Sequence, residues 1–280
     1  MQVSVIIVSY NTVGLLRDCL HSLYEKTVGV AFEVIVVDNA SKDATREMLA
    51  HEFPCVRTIL NADNKGFGAA NNQGVSVATG KYVFLLNSDT LMVNDAITIL
   101  HDFFESDETG SLSCIGGSLY NPDSTDQISY GRFPHIIGLV YGYTFAKIFG
   151  MRRNSRFSMS GIVTGNVPME VDYVTGADMM VPRLLMLSAG GFDEDFFLYF
   201  EETELCSRFR KKGYRNMIVP AAKIIHLCGM STPSASRQEL FQKSKYLFLK
   251  KHHGAAYARI YSFVESIFGC FSWIMPKKFN

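Results

Sequence analysis

Lys81-Tyr82-Val83-Phe84-Leu85-Leu86-Asn87-Ser88-Asp89-Thr90 is an apolar run that stops abruptly at three polar residues. Its large side chains follow one another without alternation. A strand of this kind is covered on both faces, as in a parallel sheet flanked by helices. In open α/β sheets the carboxyl ends of such strands face the ligand crevice. The end of this strand carries a carboxylate, Asp89.

Outward from it the pattern repeats. Val3 to Ser9 is a β-branched run closed by Tyr10-Asn11, and Leu15, Leu16, Cys19, Leu20 and Leu23 then recur at helical spacing. Phe32 to Val37 is a second run ending at Asp38-Asn39, and Ala44 to Phe53 reads as a helix. Val56 to Leu60 is a third strand. Asn64 to Gly68 is a glycine-bearing turn before a small-residue helix over Ala69 to Ala78, and Ala96 to Phe104 is a further helix. This alternation predicts an α/β fold: a single, mostly parallel sheet flanked by helices.

After residue 110 the pattern loosens. Ile115 to Tyr120, Val171 to Thr175, Met179 to Val181, Asn216 to Val219 and Lys223 to His226 read as strands. Ile136 to Gly150 is apolar and aromatic, with Arg152, Arg153 and Arg156 behind it. Leu205 to Lys212 reads as a helix closed by Gly213. Glu239 to Lys251 is helical with a basic face, and the apolar, aromatic stretch Ala255 to Met275 leads to Lys277 and Lys278. The expected organisation is one domain over residues 1–235, its halves dividing near residue 110, and a helical C-terminal extension over 236–280.

Hydrophobic residues make up 48% of the 280 residues and charged ones 19%, enough for a sizeable core. The 27 basic and 27 acidic residues cancel. That argues against bulk nucleic-acid binding, which needs a basic surface. The six cysteines are scattered with no C-x-x-C pair, so they read as small buried hydrophobes in a reducing compartment. No basic n-region precedes an apolar h-region, so no signal peptide is expected.

Five stretches can carry chemistry. Ser9-Tyr10-Asn11 and Asp38 end the first two strands, where Asp38 either accepts from a base or ribose or caps the next turn. Asn64-Lys65-Gly66-Phe67-Gly68, with Asn71, offers glycines for close backbone approach and a helix N-terminus for an anion, though most such turns are only turns. Asp89 either holds a divalent cation completed by phosphates and water or is an exposed loop residue. Asp193, Glu194, Asp195, Glu201, Glu202 and Glu204 interleave with aromatics. Burial there would raise a carboxylate to a usable general base, whereas about half the cluster would serve only the following helix dipole. His226 ends a short strand and gains meaning only if it converges on Asp89.

In this order, over roughly residues 1–230, the motifs resemble family 2 glycosyltransferases of the GT-A fold, the rhamnosyltransferase-like branch especially. Val5 to Asn11 is similar to the family's opening strand and Val36-Val37-Asp38-Asn39-Ala40-Ser41 to its nucleotide contact. Asn64 to Asn71 is similar to its N-x-G-F segment, Leu85 to Asp89 to its D-x-D region, and Phe197 to Arg208 to its FFLYxEDxDLCxR signature. Asn87 replaces the first Asp of D-x-D, and Glu201-Glu202 replaces Glu-Asp. The resemblance implies an inverting, metal-dependent hexosyltransferase acting in cell-surface polysaccharide assembly. Residues 1–110 form its nucleotide-sugar half and 111–235 its acceptor half. It implies a dTDP- or UDP-linked donor, rhamnose first, and a glycan or polyprenyl-linked acceptor. Ser9, Tyr10, Asn11, Asp38, Asn64, Lys65, Gly66, Phe67, Asn71, Asn87 and Ser88 would hold the nucleotide sugar. Asp89 and His226 would hold Mg²⁺ or Mn²⁺, Gly176-Ala177-Asp178 would form an acceptor-side loop, and Glu202 or Glu201 would be the base.

The competing readings are a sugar-nucleotidyltransferase, whose glycine- and basic-rich loop Ser9-Tyr10-Asn11-Thr12 lacks, and a non-catalytic nucleotide-sugar or glycan-binding module. Ile260 to Met275 is interrupted by Glu265 and too short for a spanning helix. Its aromatics and the lysines behind it suit an interfacial helix at the cytoplasmic face of a membrane, with the basic face of Lys243 to Lys251 on anionic headgroups. Packing on the domain, or pairing of two subunits, is the alternative.

Overall fold

The structure, a computed structural model, describes residues 1–140, 160–227 and 234–274, without the side chains of residues 160, 234–236 and 268–274. The elements in chain order are β1 (Val3–Ser9), α1 (Val13–Lys26), β2 (Phe32–Asp38), α2 (Thr45–Glu52), β3 (Arg57–Leu60), α3 (Phe67–Val77), β4 (Tyr82–Asn87), β5 (Thr90–Met92), α4 (Ala96–Glu105) and β6 (Leu112–Tyr120). There follow β7 (Ile128–Gly131), β8 (Ser160–Ile162), β9 (Met169–Val171), β10 (Tyr173–Val174), β11 (Asp178–Pro182), α5 (Arg183–Ser188), α6 (Glu201–Lys211), β12 (Arg215–His226), α7 (Ser234–His253) and α8 (Ala255–Ile274). Most of the apolar stretch Ile136 to Gly150, and the arginines after it, lie outside the described residues.

The main sheet has the order β3-β2-β1-β4-β11-β6-β12-β5, with β9 also on β12. Its first four strands are all parallel. Beyond β4 it is mixed: β11 runs antiparallel to β4 and β6, and β12 runs parallel to β6 but antiparallel to β5. Parallel neighbours need long crossovers, usually helical. That is why strand–helix alternation is legible in the first hundred residues and fades afterwards. A small sheet, β10-β7-β8, stands beside it.

The continuous apolar runs divide by parity between two cores. Val5, Ile7, Val34, Val36, Phe84 and Leu86 pack with Leu16, Leu20 and Leu23 of α1 and Ile97 and Leu100 of α4. Ile6, Ile35, Val37, Val83 and Leu85 pack with Val75 of α3, Met186 of α5 and Leu205 and Phe209 of α6. Cys19, Cys114 and Cys206 are buried as expected, whereas Cys55 is exposed; the side chains of Cys228 and Cys270 lie outside the described ones.

Readings change in the mixed half of the chain, where Val171 to Thr175 is divided between β9 and β10 in different sheets. Asn216–Val219 and Lys223–His226 are halves of the single strand β12, whose register shifts between Ile218 and Lys223. Pro220 lies there and cannot donate to a ladder, so the chain reads as two strands. The helix expected from Leu205 begins at Glu201, which brings Glu201, Glu202 and Glu204 into its first turn.

The C-terminal helices share a third core with the main domain: Leu139, Phe196 and Phe200 pack with Phe248, Leu249, Ala258 and Tyr261. The basic face of α7 lies open only in part: Lys243 and Lys250 are exposed, and other basic groups are paired. Lys245 is buried, with Nζ 2.5 and 2.6 Å from the two oxygens of Glu265 on α8. Lys251 reaches Asp193 and Asp195, each at 2.6 Å. His252 faces Glu204 at 3.4 Å and Lys211 at 2.7 Å, which fixes α7 to α6. The outer side of α8 exposes Ile260, Phe263 and Ile267, at helical spacing on one face. No helix among the described residues is long and apolar enough to cross a membrane. Breaking a buried ion pair strands the remaining charge. Glu265→Ala is therefore expected to cost about 3 kcal/mol in urea unfolding, whereas Lys245→Met costs far less.

Candidate active site

The chain leaves β1 for β2 and β3 on one side, then returns to β4 on the other. Such a reversal opens a crevice at the carboxyl ends of β1 and β4. Ser9 lies opposite Asp38 and Val8 opposite Asn87, so the three candidate strand ends share one edge. A hydroxyl chain closes the seam: Ser9 Oγ to Thr12 Oγ1 is 2.9 Å and Thr12 Oγ1 to Ser88 Oγ is 3.1 Å. Tyr10 and Asn11 stand exposed beside it.

Asp89 is not an exposed loop residue; it is 3% exposed. β5 and β12 pair with His226 opposite Thr90, and Leu227 N donates to Asp89 O at 2.9 Å. This backbone lock brings His226 Nε2 to 3.3 Å from Asp89 Oδ1. Asn87 Nδ2 is also 3.3 Å from Nε2, and Nδ1 is 2.8 Å from Gln127 Oε1. One imidazole and one carboxylate this close can ligate one first-row divalent ion, whose remaining positions fall to phosphate oxygens and water. Among the described residues no group of three or more His, Cys, Asp or Glu could hold a metal, so the residues fit a cation only in this sparse form.

Across the crevice, Tyr199 and Phe200 both adopt left-handed φ, 68° and 70°. That is strained for bulky residues, by about 1–3 kcal/mol each. The strain is held in place by burial of Phe196 and Phe200 and by Phe67 N donating to Phe197 O at 2.9 Å. Gly66 permits that contact: its φ is +86°, and a Cβ there would lie 2.5 Å from Phe197 O. The turn starts α6 with Glu201 toward α3 and Glu202 toward Gly176, where an added Cβ would lie 3.9 Å from Glu202 Cβ. Asn87 N donates to Ala177 O at 3.0 Å, so Gly176-Ala177 joins the end of β4 to the start of α6. Burial raises the Glu202 carboxyl to about 7. Burial, then the neighbouring Glu202 charge, raises Glu201 well above the carboxylate range.

Buried polar side chains are ordinarily paired. Among the described residues Asn71 Oδ1, Thr175 Oγ1, Asp178 Oδ1 and Glu201 Oε2, on segments bounding this crevice, are buried without a hydrogen-bond partner, as are Thr27 Oγ1 and Thr98 Oγ1 elsewhere.

Several expected contacts are placed differently. Asp38 is 0% exposed, with Oδ1 accepting from Ser41 N and Oδ2 bound by Arg46 Nε at 2.6 Å. Arg46 is 42% exposed, so the guanidinium is the open member of this pair. Asn71 is buried, and its Nδ2 donates back to Phe67 O at 3.0 Å. Lys65 Nζ pairs with Asp63, while its backbone N is held by Asn39 Oδ1 at 3.0 Å. Asn39 also donates to Asn64 Oδ1 and Gly66 O, so it organises the turn. Asp178 is a buried residue of β11 and not part of an open loop; its Oδ2 accepts from Gly117 N at 2.6 Å. Asp193, Asp195 and Glu204 are paired with Lys251 and Arg208 and stand outside the crevice chemistry. Thr12, Asn39, Arg46 and Gln127 carried no sequence signal beyond Asn39's place next to Asp38. A separate concavity of about 260 Å³, lined by Gly190, Gly191, Phe192, Asp193, Glu204 and Arg208, lies away from the strand ends.

Burial raises the Asp178 carboxyl to about 8. The folded chain thus keeps a proton that the unfolded chain releases, and stability falls as pH rises from about 4 to about 8. Asp178→Asn keeps an acceptor for Gly117 N and cannot ionise. Its expected gain is small at about pH 5 and on the order of 2–4 kcal/mol at about pH 8 in urea unfolding.

A helix-flanked sheet of this order, parallel from β3 through β4 and mixed beyond it, has the GT-A arrangement. The chain belongs to glycosyl transferase family 2, whose family profile matches residues 4–162. It is 26% identical over 235 residues to the N-acetylglucosaminyl-diphospho-decaprenol L-rhamnosyltransferase of Mycobacterium tuberculosis, covering 79% of this chain and 75% of that one. It is 24% identical over 261 residues to rhamnosyltransferase WbbL of Escherichia coli, covering 89% and 94%. The fold is similar to the mannosyltransferase PcManGT of Pyrobaculum calidifontis in complex with GDP-Man and Mn²⁺, with TM-score 0.60, 18% identity and coverage of 96% and 73%. It is also similar to GalNAc-T7 with UDP, GalNAc and Mn²⁺, with TM-score 0.64 and 16% identity over 89% of this chain; the chain spans about half, 48%, of that structure.

Proposed function

We propose that this glycosyltransferase moves a sugar, rhamnose first, from a dTDP- or UDP-linked donor to a hydroxyl of a glycan or polyprenyl-linked acceptor during cell-surface polysaccharide assembly. The observation that carries this is the Asp89–His226 pair joined to Glu202 through Asn87, Ala177 and Gly176. The names of the mycobacterial and E. coli relatives favour rhamnose, and the mycobacterial one favours a lipid-linked acceptor.

Ser9-Tyr10-Asn11, Ser88 and the Asn64 to Phe67 turn line the nucleoside side, with Asn71 behind them. Asp89 and His226 would hold Mg²⁺ or Mn²⁺, which supplies positive charge for the departing diphosphate. Glu202 is the base, because it faces the Gly176 loop and its carboxyl sits near 7. Glu202 takes the acceptor hydroxyl proton as that oxygen bonds to the anomeric carbon. The bond from that carbon to the diphosphate oxygen breaks, and the diphosphate leaves with the electron pair. One displacement inverts the configuration, with no second carboxylate nucleophile. The test is nucleoside diphosphate release from a panel of nucleotide sugars with Mn²⁺ or Mg²⁺. Release from a dTDP- or UDP-linked sugar is expected, and no release from any donor overturns the reading.

The exposed Ile260, Phe263 and Ile267 support peripheral attachment of α8 to the cytoplasmic face of a membrane. A deletion from Ser262 onward would also remove Glu265 and strand Lys245, so point changes are the cleaner probe. Phe263→Ser with Ile267→Ser is expected to lose cosedimentation with anionic vesicles; unchanged cosedimentation rejects the attachment.

A further inference from the structure

We propose that Gln127 is the positioning residue of the cation site, holding His226 in the tautomer whose Nε2 lone pair faces Asp89. Cation affinity of the Asp89–His226 pair then depends on it. The inference rests on the metal reading above.

Gln127 ends the loop between β6 and β7, ninety-nine residues from His226. Its Nε2 donates to His226 O at 2.9 Å and to Asn121 Oδ1 at 2.8 Å. With two acceptors on its nitrogen end, the carboxamide has one orientation, and Oε1 faces His226 Nδ1 at 2.8 Å. A carboxamide oxygen only accepts, so Nδ1 carries the hydrogen. A neutral imidazole then has its lone pair on Nε2. That nitrogen lies 3.3 Å from Asp89 Oδ1.

The loop that delivers Gln127 is itself wired. Asn121 N donates to Thr125 O and Gln127 N to Leu119 O, both at 2.8 Å. Asn121 Nδ2 reaches Thr125 Oγ1 at 2.9 Å, and Asp123 Oδ1 accepts from Thr125 Oγ1 at 2.6 Å. The acceptor is therefore in place before any cation arrives. Outer partners of this kind fix the ring and the tautomer of a ligating histidine, and losing one typically costs about 10–100-fold in metal affinity. Without Gln127 the proton is released to Nε2, the position a cation needs.

The experiment uses the full chain. Free Mn²⁺ is read by electron paramagnetic resonance in the presence of UDP, and separately of dTDP. The nitrogens of His226 are read by long-range ¹H–¹⁵N spectra of the metal-free protein at about pH 8, where histidine is ordinarily neutral. The expected result is an Nδ1–H tautomer in the unmodified chain. Gln127→Ala should show Nε2–H and about 10–100-fold weaker Mn²⁺ binding. Gln127→Glu keeps an acceptor for Nδ1–H but loses the donor to His226 O. It should restore both tautomer and affinity, which a merely structural role would not. Gln127→Ala that keeps the Nδ1–H tautomer, or binds Mn²⁺ as tightly as the unmodified chain, overturns the inference alone. An unmodified chain that binds no Mn²⁺ with either nucleotide overturns the metal reading and this inference with it.

Discussion

Glu202→Gln is expected to lower the rate of sugar transfer by about 10²–10⁴-fold, the usual contribution of a general base. Nucleoside diphosphate binding should stay unchanged, because Glu202 faces Gly176 and not the strand ends. Its carboxyl sits near 7 through burial. The base works as a carboxylate, so kcat/KM should rise with pH through about 7 and level off above it. Glu201→Gln is the control. Its carboxyl is raised well above the carboxylate range, and Oε2 lacks a partner. Burial and the Glu202 charge both favour the neutral form of Glu201, so the amide is expected to replace it with only a few-fold change. Equal losses in the two variants, or a rate independent of pH between about 6 and 8, would remove Glu202 from the role of base.

Asp89→Asn is expected to reduce transfer by about 10²–10³-fold, the order lost when one preorganised charge-stabilising group is removed. It should also abolish Mn²⁺ binding in the presence of UDP. The substitution keeps the size of the side chain. The bond from Leu227 N to Asp89 O is backbone, so β5 and β12 stay paired and His226 stays in place. In the proposed two-ligand site, losing the Asp89 carboxylate would leave the His226 imidazole to hold the cation against water. Mn²⁺ affinity unchanged in Asp89→Asn would place the cation elsewhere.

The candidate site was legible in parts. Asp89, Ser9 and Asp38 could be found because they end continuous apolar runs, and one edge of a parallel sheet collects such ends. Gly66 was legible as a turn, but its reason, the close approach of Phe197 O, was not. Asp38 allows two readings in the sequence, a ligand contact or a turn cap; in the structure Oδ1 accepts from Ser41 N of the turn and Oδ2 pairs with Arg46. Eight residues and a turn separate the two, and no periodicity signals such a contact.

The sequence by itself determined the strand–helix alternation, the parallel first half of the sheet and the family motifs. These are local, because burial on both faces writes itself as an uninterrupted apolar run. The tertiary structure alone decided which polar groups meet. His226 reaches Asp89 through the antiparallel pairing of β12 with β5, and Gln127 reaches His226 from ninety-nine residues away. Glu202 comes forward because two left-handed aromatics, held by a distant core, turn the chain at Phe200. Such contacts depend on strand order and long-range packing, and neither leaves a period in the chain.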